Sequence, residues 1–432
     1  MNEALALLGG PKFITQELKK YQPLGSEEIA AAVEVLERGV LSQFVGTWGP
    51  DFFGGPKVKE FEHACANFFQ VKHAITVNSW TSGLVAAVGA IGVGPGDEVI
   101  VPSWTMTASA SAVLHWSGIP VFADINADSY CIDLESIKKL RGPKTVAIMT
   151  VDIFGQSADI LPILEYARQE GLKVICDTAQ APGAKVGSKF AGTLGDIGGI
   201  SLNYHKHIHT GEGGVLFTDD DELADRMRLI RNHAEAVVES KGATRIDNMV
   251  GHNFRLGEVE CAIGIQQLKK LPSLTAGRQK VAERLRRGLS GLPGLGLPSI
   301  SEGNTHVYYV FGLTLQGDVL KVGRSKICDA LEAEGVMGLG RGYQNIHLLP
   351  VYQRKIAFGK DGFPWTLQPE DRRVDYNKGI CPISEELHEL SFIGLATCVF
   401  DYSEEDVDLV VGAFKKVWSN LETLDKWRPK ET

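Results

Sequence analysis

The seven cysteines of this 432-residue chain, Cys65, Cys131, Cys176, Cys261, Cys328, Cys381 and Cys398, are odd in number, scattered and never in a Cys-x-x-Cys spacing. That pattern gives neither a disulfide framework nor a zinc knuckle, and it suits a reducing cytoplasm. No apolar run reaches the roughly 18 residues that would cross a bilayer, so no membrane association is expected. Met1-Asn2-Glu3 is not a basic region leading into a long apolar segment, so no signal peptide is expected. A formal net charge of −9 and the lack of a dense Lys/Arg tract argue against nucleic acid as a partner. The small basic clusters at Lys269-Lys270 and Arg284–Arg287 lie on helical patterns and read as solvated faces. There is no internal repeat and no low-complexity tract.

What is present is a large apolar fraction, 44%, in a chain long enough for two domains. Strand patterns at His73–Val77, Glu98–Val101, Pro120–Ala123, Val146–Thr150 and Lys173–Cys176 alternate with helical ones. Val58, Phe61, Cys65 and Phe68 form a helical face before the first strand, and Val215–Thr218 reads as a later strand. This alternation predicts a doubly wound, mostly parallel α/β sheet. From about residue 256 the pattern turns helical, over Glu258–Lys270 and Ala276–Leu289. Val307–Leu315, Lys326–Glu334 and Glu404–Trp418 then suggest a smaller C-terminal α/β domain. The expected division is therefore 1–255, an N-terminal arm and large domain, and 256–432, linker helices and small domain. The stretch Gly338–Trp365, with Tyr343, His347, Tyr352 and Trp365, is a long irregular segment of the sort that serves function or a dimer contact.

Within Ser201-Leu-Asn-Tyr-His-Lys-His-Ile-His-Thr-Gly-Glu-Gly-Gly214, Lys206 stands out. An amine attacks a carbonyl only when deprotonated, so a Schiff-base lysine needs burial or neighbouring positive charge. Lys206 sits between His205 and His207, with apolar strand patterns on both sides. Upstream, Val174-Ile-Cys-Asp177 is an apolar run that ends in a carboxylate, as a buried parallel strand does where it meets the ligand-binding edge of an open sheet. A pyridoxal 5′-phosphate (PLP) enzyme needs a lysine for the aldehyde and, commonly, an acid for the pyridinium nitrogen, and Lys206 and Asp177 would supply both. Asn78-Ser79-Trp80-Thr81-Ser82-Gly83 joins a strand to a helix pattern, Leu84–Ile91, and could offer phosphate the free N–H groups of a helix start. Ser201 could add a hydroxyl.

Together these segments resemble the DegT/DnrJ/StrS sugar aminotransferases, PLP enzymes of fold type I. The resemblance extends through Gly94–Ile100, Val101–Thr105, Phe154-Gly155-Gln156, Asp177–Ala181, Gly195–Gly198, Arg231-Asn232-His233 and Gly251–Arg255. It implies that Lys206 holds the PLP aldehyde and later shuttles the proton, that Asp177 pairs with the ring nitrogen, and that Gln180 lies near the ring hydroxyl. Trp80, Thr81 and Ser201 would hold the phosphate through backbone and hydroxyl groups. Asn253 would reach the phosphate of the neighbouring subunit in a homodimer with shared active sites. The family usually has an aromatic at the positions of both Trp104 and Met106, one of which stacks on the ring. Here only Trp104 is aromatic, and either Trp104 or, through a weaker contact, Met106 would cover the cofactor. The family also favours His at Asp152, and its 3-dehydratase branch has His where this chain has Lys206.

The expected reaction moves an amino group from L-glutamate to a keto or aldehyde sugar, with Arg255 a candidate for the donor carboxylate. The wording around Trp80, Trp104, Met106 and His205–His209 resembles the branch that aminates C8 of 8-oxo-3,8-dideoxy-manno-octulosonate for lipopolysaccharide. Nucleotide-linked 3- or 4-ketosugars are the alternative acceptors. A PLP-dependent sugar 3-dehydratase with His205 as base, or a non-catalytic PLP-binding regulator, are the alternative functions. Other features take plainer readings. Gly92–Gly96 follows a helix and precedes a strand, so it reads as a helix terminator rather than a dinucleotide fingerprint. His205, His207 and His209 have no thiol or carboxylate partner at metal-ligand spacing, and no metal is expected. Trp48 and Phe52-Phe53 fit either a sugar pocket or a packed N-terminal arm.

Overall fold

The computed structural model describes residues 3–370 and 373–428; Met1 and Asn2, where the leader reading began, lie outside them. Its larger sheet has seven strands, β1 (His73–Val77), β2 (Glu98–Pro102), β3 (Ile119–Ala123), β4 (Thr145–Val151), β5 (Lys173–Asp177), β6 (Ile197–Ser201) and β7 (Gly214–Thr218). They lie in the order β1-β7-β6-β5-β4-β2-β3. β3, β2, β4, β5 and β6 are parallel, and β7 runs antiparallel to both β6 and β1. The strands are near-continuous apolar runs because helices cover both faces. The expected mostly parallel, doubly wound sheet is therefore present.

β6 was not legible as a strand. Gly198 and Gly199 interrupt its apolar pattern, and packing requires both. A Cβ on Gly198 would lie 2.0 Å from the Gly192 carbonyl oxygen, and one on Gly199 would lie 2.1 Å from that of Val215. The helix expected at Leu84 begins earlier, at Trp80, where the Ser79 hydroxyl accepts from the Ser82 N–H at 3.1 Å. Gly92, at φ 96°, ends it in the left-handed conformation, as a helix terminator should.

The smaller sheet, β8 (Leu295–Gly296), β9 (Phe311–Leu315), β10 (Leu339–Arg341) and β11 (Phe392–Leu395), is antiparallel in the order β8-β9-β11-β10. Helices Arg324–Ala333 and Glu404–Trp418 pack on it with Leu5 and Ile14 from the N-terminal segment. The strand expected from Val307 starts only at Phe311. Before it, the chain runs past the β4 exit loop, with Val307 N–H donating to the Gly155 carbonyl at 2.7 Å. The two helical patterns at Glu258–Lys270 and Ala276–Leu289 are one helix, Glu258–Leu289, despite Pro272. Its first half buries Cys261, Leu268 and Leu271 against the larger sheet, and its second half buries Ala282, Leu285 and Leu289 against the small sheet. Burial at both ends compensates for the hydrogen bond that a mid-helix proline removes.

The segment between β10 and β11 lies mainly on the larger sheet. Tyr352, Trp365, Tyr376 and Cys381 are buried with Phe122 of edge strand β3. Tyr376 donates its hydroxyl to the Pro120 carbonyl at 2.5 Å, and the Cys381 thiol faces the Phe122 carbonyl at 3.7 Å. A free sheet edge is thereby covered. At the other extreme of the chain, the fully buried Glu334 carboxylate accepts from Ala6 N–H at 2.7 Å, Phe13 N–H at 3.1 Å and Lys416 Nζ at 2.9 Å. Replacing Glu334 by Ala strands a buried ammonium and two backbone donors. The expected cost is about 3–5 kcal/mol, read by urea unfolding, with accelerated amide exchange at Ala6 and Phe13. Unchanged exchange there would show that the carboxylate does not anchor the N-terminal segment.

Candidate functional site

Asp177 ends β5 at the carboxyl edge, between Val151 of β4 and Gly199 of β6. It is only 5% exposed, yet both carboxylate oxygens are held. Trp80 Nε1–H donates to Oδ1 at 2.6 Å and the Ser109 hydroxyl donates to Oδ2 at 2.9 Å. Burial raises its pKa, while these two hydrogen bonds and the charge of Lys206 pull the other way.

Lys206 lies in the loop that leaves β6 and returns to β7, its N–H bonded to the Asn203 carbonyl at 2.9 Å. The side chain is 7% exposed, and Nζ sits 4.4 Å from the centre of the Tyr309 ring. Burial pushes the amine down to about 8, with Asp177 opposing the shift. The flanking histidines divide the labour. His207, fully buried, meets the Val307 carbonyl at 2.8 Å through Nε2, which must carry the hydrogen because a carbonyl only accepts. His209 donates its backbone N–H to Gln267 of the long helix at 3.2 Å. His205 alone of the three lines the cavity beside Lys206, pushed down to about 4 by burial and then by the lysine charge. Among the described residues, no three His, Cys, Asp or Glu side chains are grouped as a metal site.

A cavity of about 210 Å³ joins these parts. It is lined by Ser79, Trp80 and Thr81 at the start of helix Trp80–Ile91, by Ser201, by Asp177, Ala179 and Gln180 after β5, and by Lys206, Tyr309 and Tyr343. Gln180 is fixed from both ends, accepting from Phe154 N–H at 2.9 Å and donating to the Tyr343 hydroxyl at 3.1 Å. PLP fits this donor set. A helix start with adjacent hydroxyls suits its phosphate, a carboxylate already held by two donors suits a cationic ring nitrogen, and an amine of depressed pKa suits its aldehyde. A larger groove, about 680 Å³, lies along helix Glu258–Leu289. It contains none of these residues, and its Arg284 is paired with Glu404.

Of the expected site residues, Trp80, Thr81, Asp177, Gln180, Ser201 and Lys206 share this cavity. Trp104 does not. Its ring is buried in an aromatic core, with centroids at 4.9 Å from Phe392 and 5.6 Å from Phe154, and the cavity wall is formed instead by Thr105 and Met106. Of Trp104 and Met106, the two residues expected as candidates to cover a cofactor ring, only Met106 lines the cavity, because the core takes up the Trp104 ring. Asn253 also lies outside the cavity within this chain, exposed and joined to Asn232 by an isolated antiparallel bridge. Arg255 donates to His233 Nε2 at 2.9 Å. Asp152 accepts from the Thr178 hydroxyl at 2.6 Å and from Ala158 N–H at 3.0 Å, and burial pushes its carboxyl up to about 6. Trp48, Phe52 and Phe53 pack on one another, Phe52 fully buried, in keeping with the packed-arm reading.

Sequence reasoning missed Ser109, Tyr309 and Tyr343. Tyr309 lies in an apolar strand-like run and Ser109 in a small-residue helix, so neither carried a signal. Tyr343 had one, as the first aromatic of the long irregular segment.

The family model described as the DegT/DnrJ/EryC1/StrS aminotransferase family matches residues 40–374. The chain is 33% identical over 347 residues to the spore coat polysaccharide biosynthesis protein SpsC of Bacillus subtilis, covering 79% of this chain and 86% of that protein. It is 36% identical over 299 residues to the GDP-perosamine synthase of Caulobacter vibrioides, covering 69% and 79%. The solved structure of the aminotransferase from Psychrobacter cryohalolentis matches with a TM-score of 0.80 at 26% identity, covering 94% of this chain and 100% of that chain.

The depressed lysine pKa has a direct consequence. An amine reacts as its free base, so in cofactor-free protein the modification of Lys206 by an amine-selective acylating reagent should rise with pH around a midpoint near 8. Peptide mass spectrometry across a pH series reads this residue by residue. A midpoint at the ordinary lysine value would contradict the burial drawn here.

Proposed function

The chain belongs to the DegT/DnrJ/EryC1/StrS aminotransferase family and is a PLP-dependent sugar aminotransferase; from that premise we propose that it moves the amino group of L-glutamate to a keto or aldehyde carbon of a sugar. The observation that carries this reading is the pair Lys206 and Asp177, both buried, on one cavity at the carboxyl edge of the sheet. When bound, PLP supplies an electron sink for the pair left at the donor Cα. Lys206 would hold the cofactor aldehyde and then, as a neutral amine, carry the proton from the donor Cα and deliver one to the acceptor carbon in the return half. Asp177 would keep the ring nitrogen protonated, and Gln180, braced by Tyr343, would face the ring hydroxyl. Trp80, Thr81 and Ser201 would bind the phosphate.

We place Met106, Tyr309 and Tyr343, rather than Trp104, among the side chains that limit the space around the ring. Asn253, exposed on this chain, would complete the site of a partner subunit in a homodimer. We keep the division into a cofactor-holding domain over 1–255 and a smaller one over 256–432, with Leu5 and Ile14 crossing to the small sheet and Tyr352 and Trp365 to the larger one. In this reading the enzyme is cytoplasmic and works on a sugar and L-glutamate, with neither nucleic acid nor membrane as partner. Lysine at position 206 favours amino transfer over the dehydratase alternative, in which His205 would be the base.

For the acceptor, 8-oxo-3,8-dideoxy-manno-octulosonate, aminated at C8 for lipopolysaccharide, rests on the sequence resemblance alone. A nucleotide-linked ketosugar is the second reading, favoured by the name of the Caulobacter relative, GDP-perosamine synthase.

The PLP-loaded protein should be yellow and should lose that absorption on addition of L-glutamate, as the pyridoxamine form grows. Lys206→Ala should lower the rate of that change by roughly 10²–10⁴-fold. The aminated enzyme, offered the 8-oxo sugar acid or a GDP- or dTDP-ketosugar, should recover the yellow form with its true acceptor, and mass spectrometry identifies the product. A yellow protein indifferent to glutamate would overturn the donor assignment, and an unimpaired Lys206→Ala would overturn the role of the lysine.

A further inference from the structure

Trp80 occupies two places at once. Its backbone belongs to the first turn of helix Trp80–Ile91, while its indole reaches across to β5, where Nε1–H meets Asp177 Oδ1 at 2.6 Å. The side chain is 5% exposed, so this bond is made with little water to compete. Ser109, from helix Ala108–His115, takes the other oxygen at 2.9 Å. Two donors from two helices therefore fix the carboxylate in orientation as well as in charge.

The indole has a slot cut for it in glycine. A Cβ on Gly199 of β6 would come within 2.4 Å of the ring at Cζ3, and one on Gly83 would come within 3.0 Å at Cε3. A Cβ on Gly214 of β7 would lie 3.0 Å from the Trp80 backbone. Glycine at these positions makes room for a large ring between sheet and helix, where close packing restricts its movement.

We infer that the Trp80 indole and the Ser109 hydroxyl are positioning residues that hold Asp177 as a fixed carboxylate aimed at the cofactor's ring nitrogen. This rests on the pairing of Asp177 with that nitrogen proposed above. A buried carboxylate with no donors would drift toward its neutral form, which cannot pair with a protonated ring nitrogen; charge-assisted hydrogen bonds favour the ionised form. Trp80 thereby links the phosphate end of the cavity to the ring-nitrogen end through one rigid side chain.

The test compares the affinity of the protein for PLP and for its 1-deaza analogue, in which C–H replaces the ring nitrogen. Both are titrated by absorbance, and no turnover is needed. Wild-type protein should prefer PLP. Trp80→Phe keeps an aromatic ring but loses the N–H, and it should weaken PLP binding about ten- to a hundredfold while leaving the deaza analogue almost unaffected. Ser109→Ala, a smaller change in a helix, should reduce the same preference and serves if the Trp80 variant does not fold. Equal losses for both ligands would reduce Trp80 and Ser109 to packing residues and overturn the inference. A wild-type protein that binds both ligands alike would instead overturn the Asp177 pairing itself.

Discussion

Everything in the site follows from taking an amine and a carboxylate out of water on the same cavity. Lys206 and Asp177 are each nearly inaccessible, and the cost of burying them shows in both groups: the amine is pushed down to about 8 and the carboxylic acid up. Such a pair is expensive unless other groups satisfy it. The sheet supplies the position, since a parallel strand ends where Asp177 begins, and the β6–β7 loop supplies the lysine. The donors Trp80 and Ser109 hold the acid, and the Tyr309 ring lies against the amine. The fold therefore maintains a strained electrostatic arrangement that suits carbonyl chemistry.

The supporting structure is less local than the site. The irregular segment after β10 covers the open edge of β3 and also presents Tyr343 to Gln180. One stretch thus stabilises a sheet edge and shapes the cavity. The long helix Glu258–Leu289 is buried at either end in a different core, and its Gln267 fixes the lysine loop through His209. The N-terminal segment, in spite of its place in the chain, packs on the small sheet through Leu5, Ile14 and the hub at Glu334.

Much of this was legible in the sequence because the physics was local. Apolar runs gave most of the strands, Asp177 could be seen ending one, and Lys206 stood out as a charge with no local reason to be there. Gly92 could be placed at a helix end because its neighbours set the direction. What was hidden depended on residues far apart in the chain. β6 has glycine where a strand normally has side chains, because neighbouring backbone approaches too closely for a Cβ. Resemblance left both Trp104 and Met106 open as the ring cover, and only the packing of Trp104 on Phe154 and Phe392 separates them. The two helical patterns at Glu258–Lys270 and Ala276–Leu289 belong to one helix, and only the two cores show why. The indole of Trp80 gave no sign that it reaches an acid almost a hundred residues away.

The central claim is that Lys206 is the residue that carries the cofactor. Borohydride reduction of the PLP-loaded protein, followed by digestion and mass spectrometry, tests it most directly because it fixes the bond between cofactor and protein where it stands. The account predicts one phosphopyridoxyl group per chain, on Lys206 Nζ, in the peptide that contains His205 and His207. A label on any other lysine, or none on a protein that binds PLP, would contradict it.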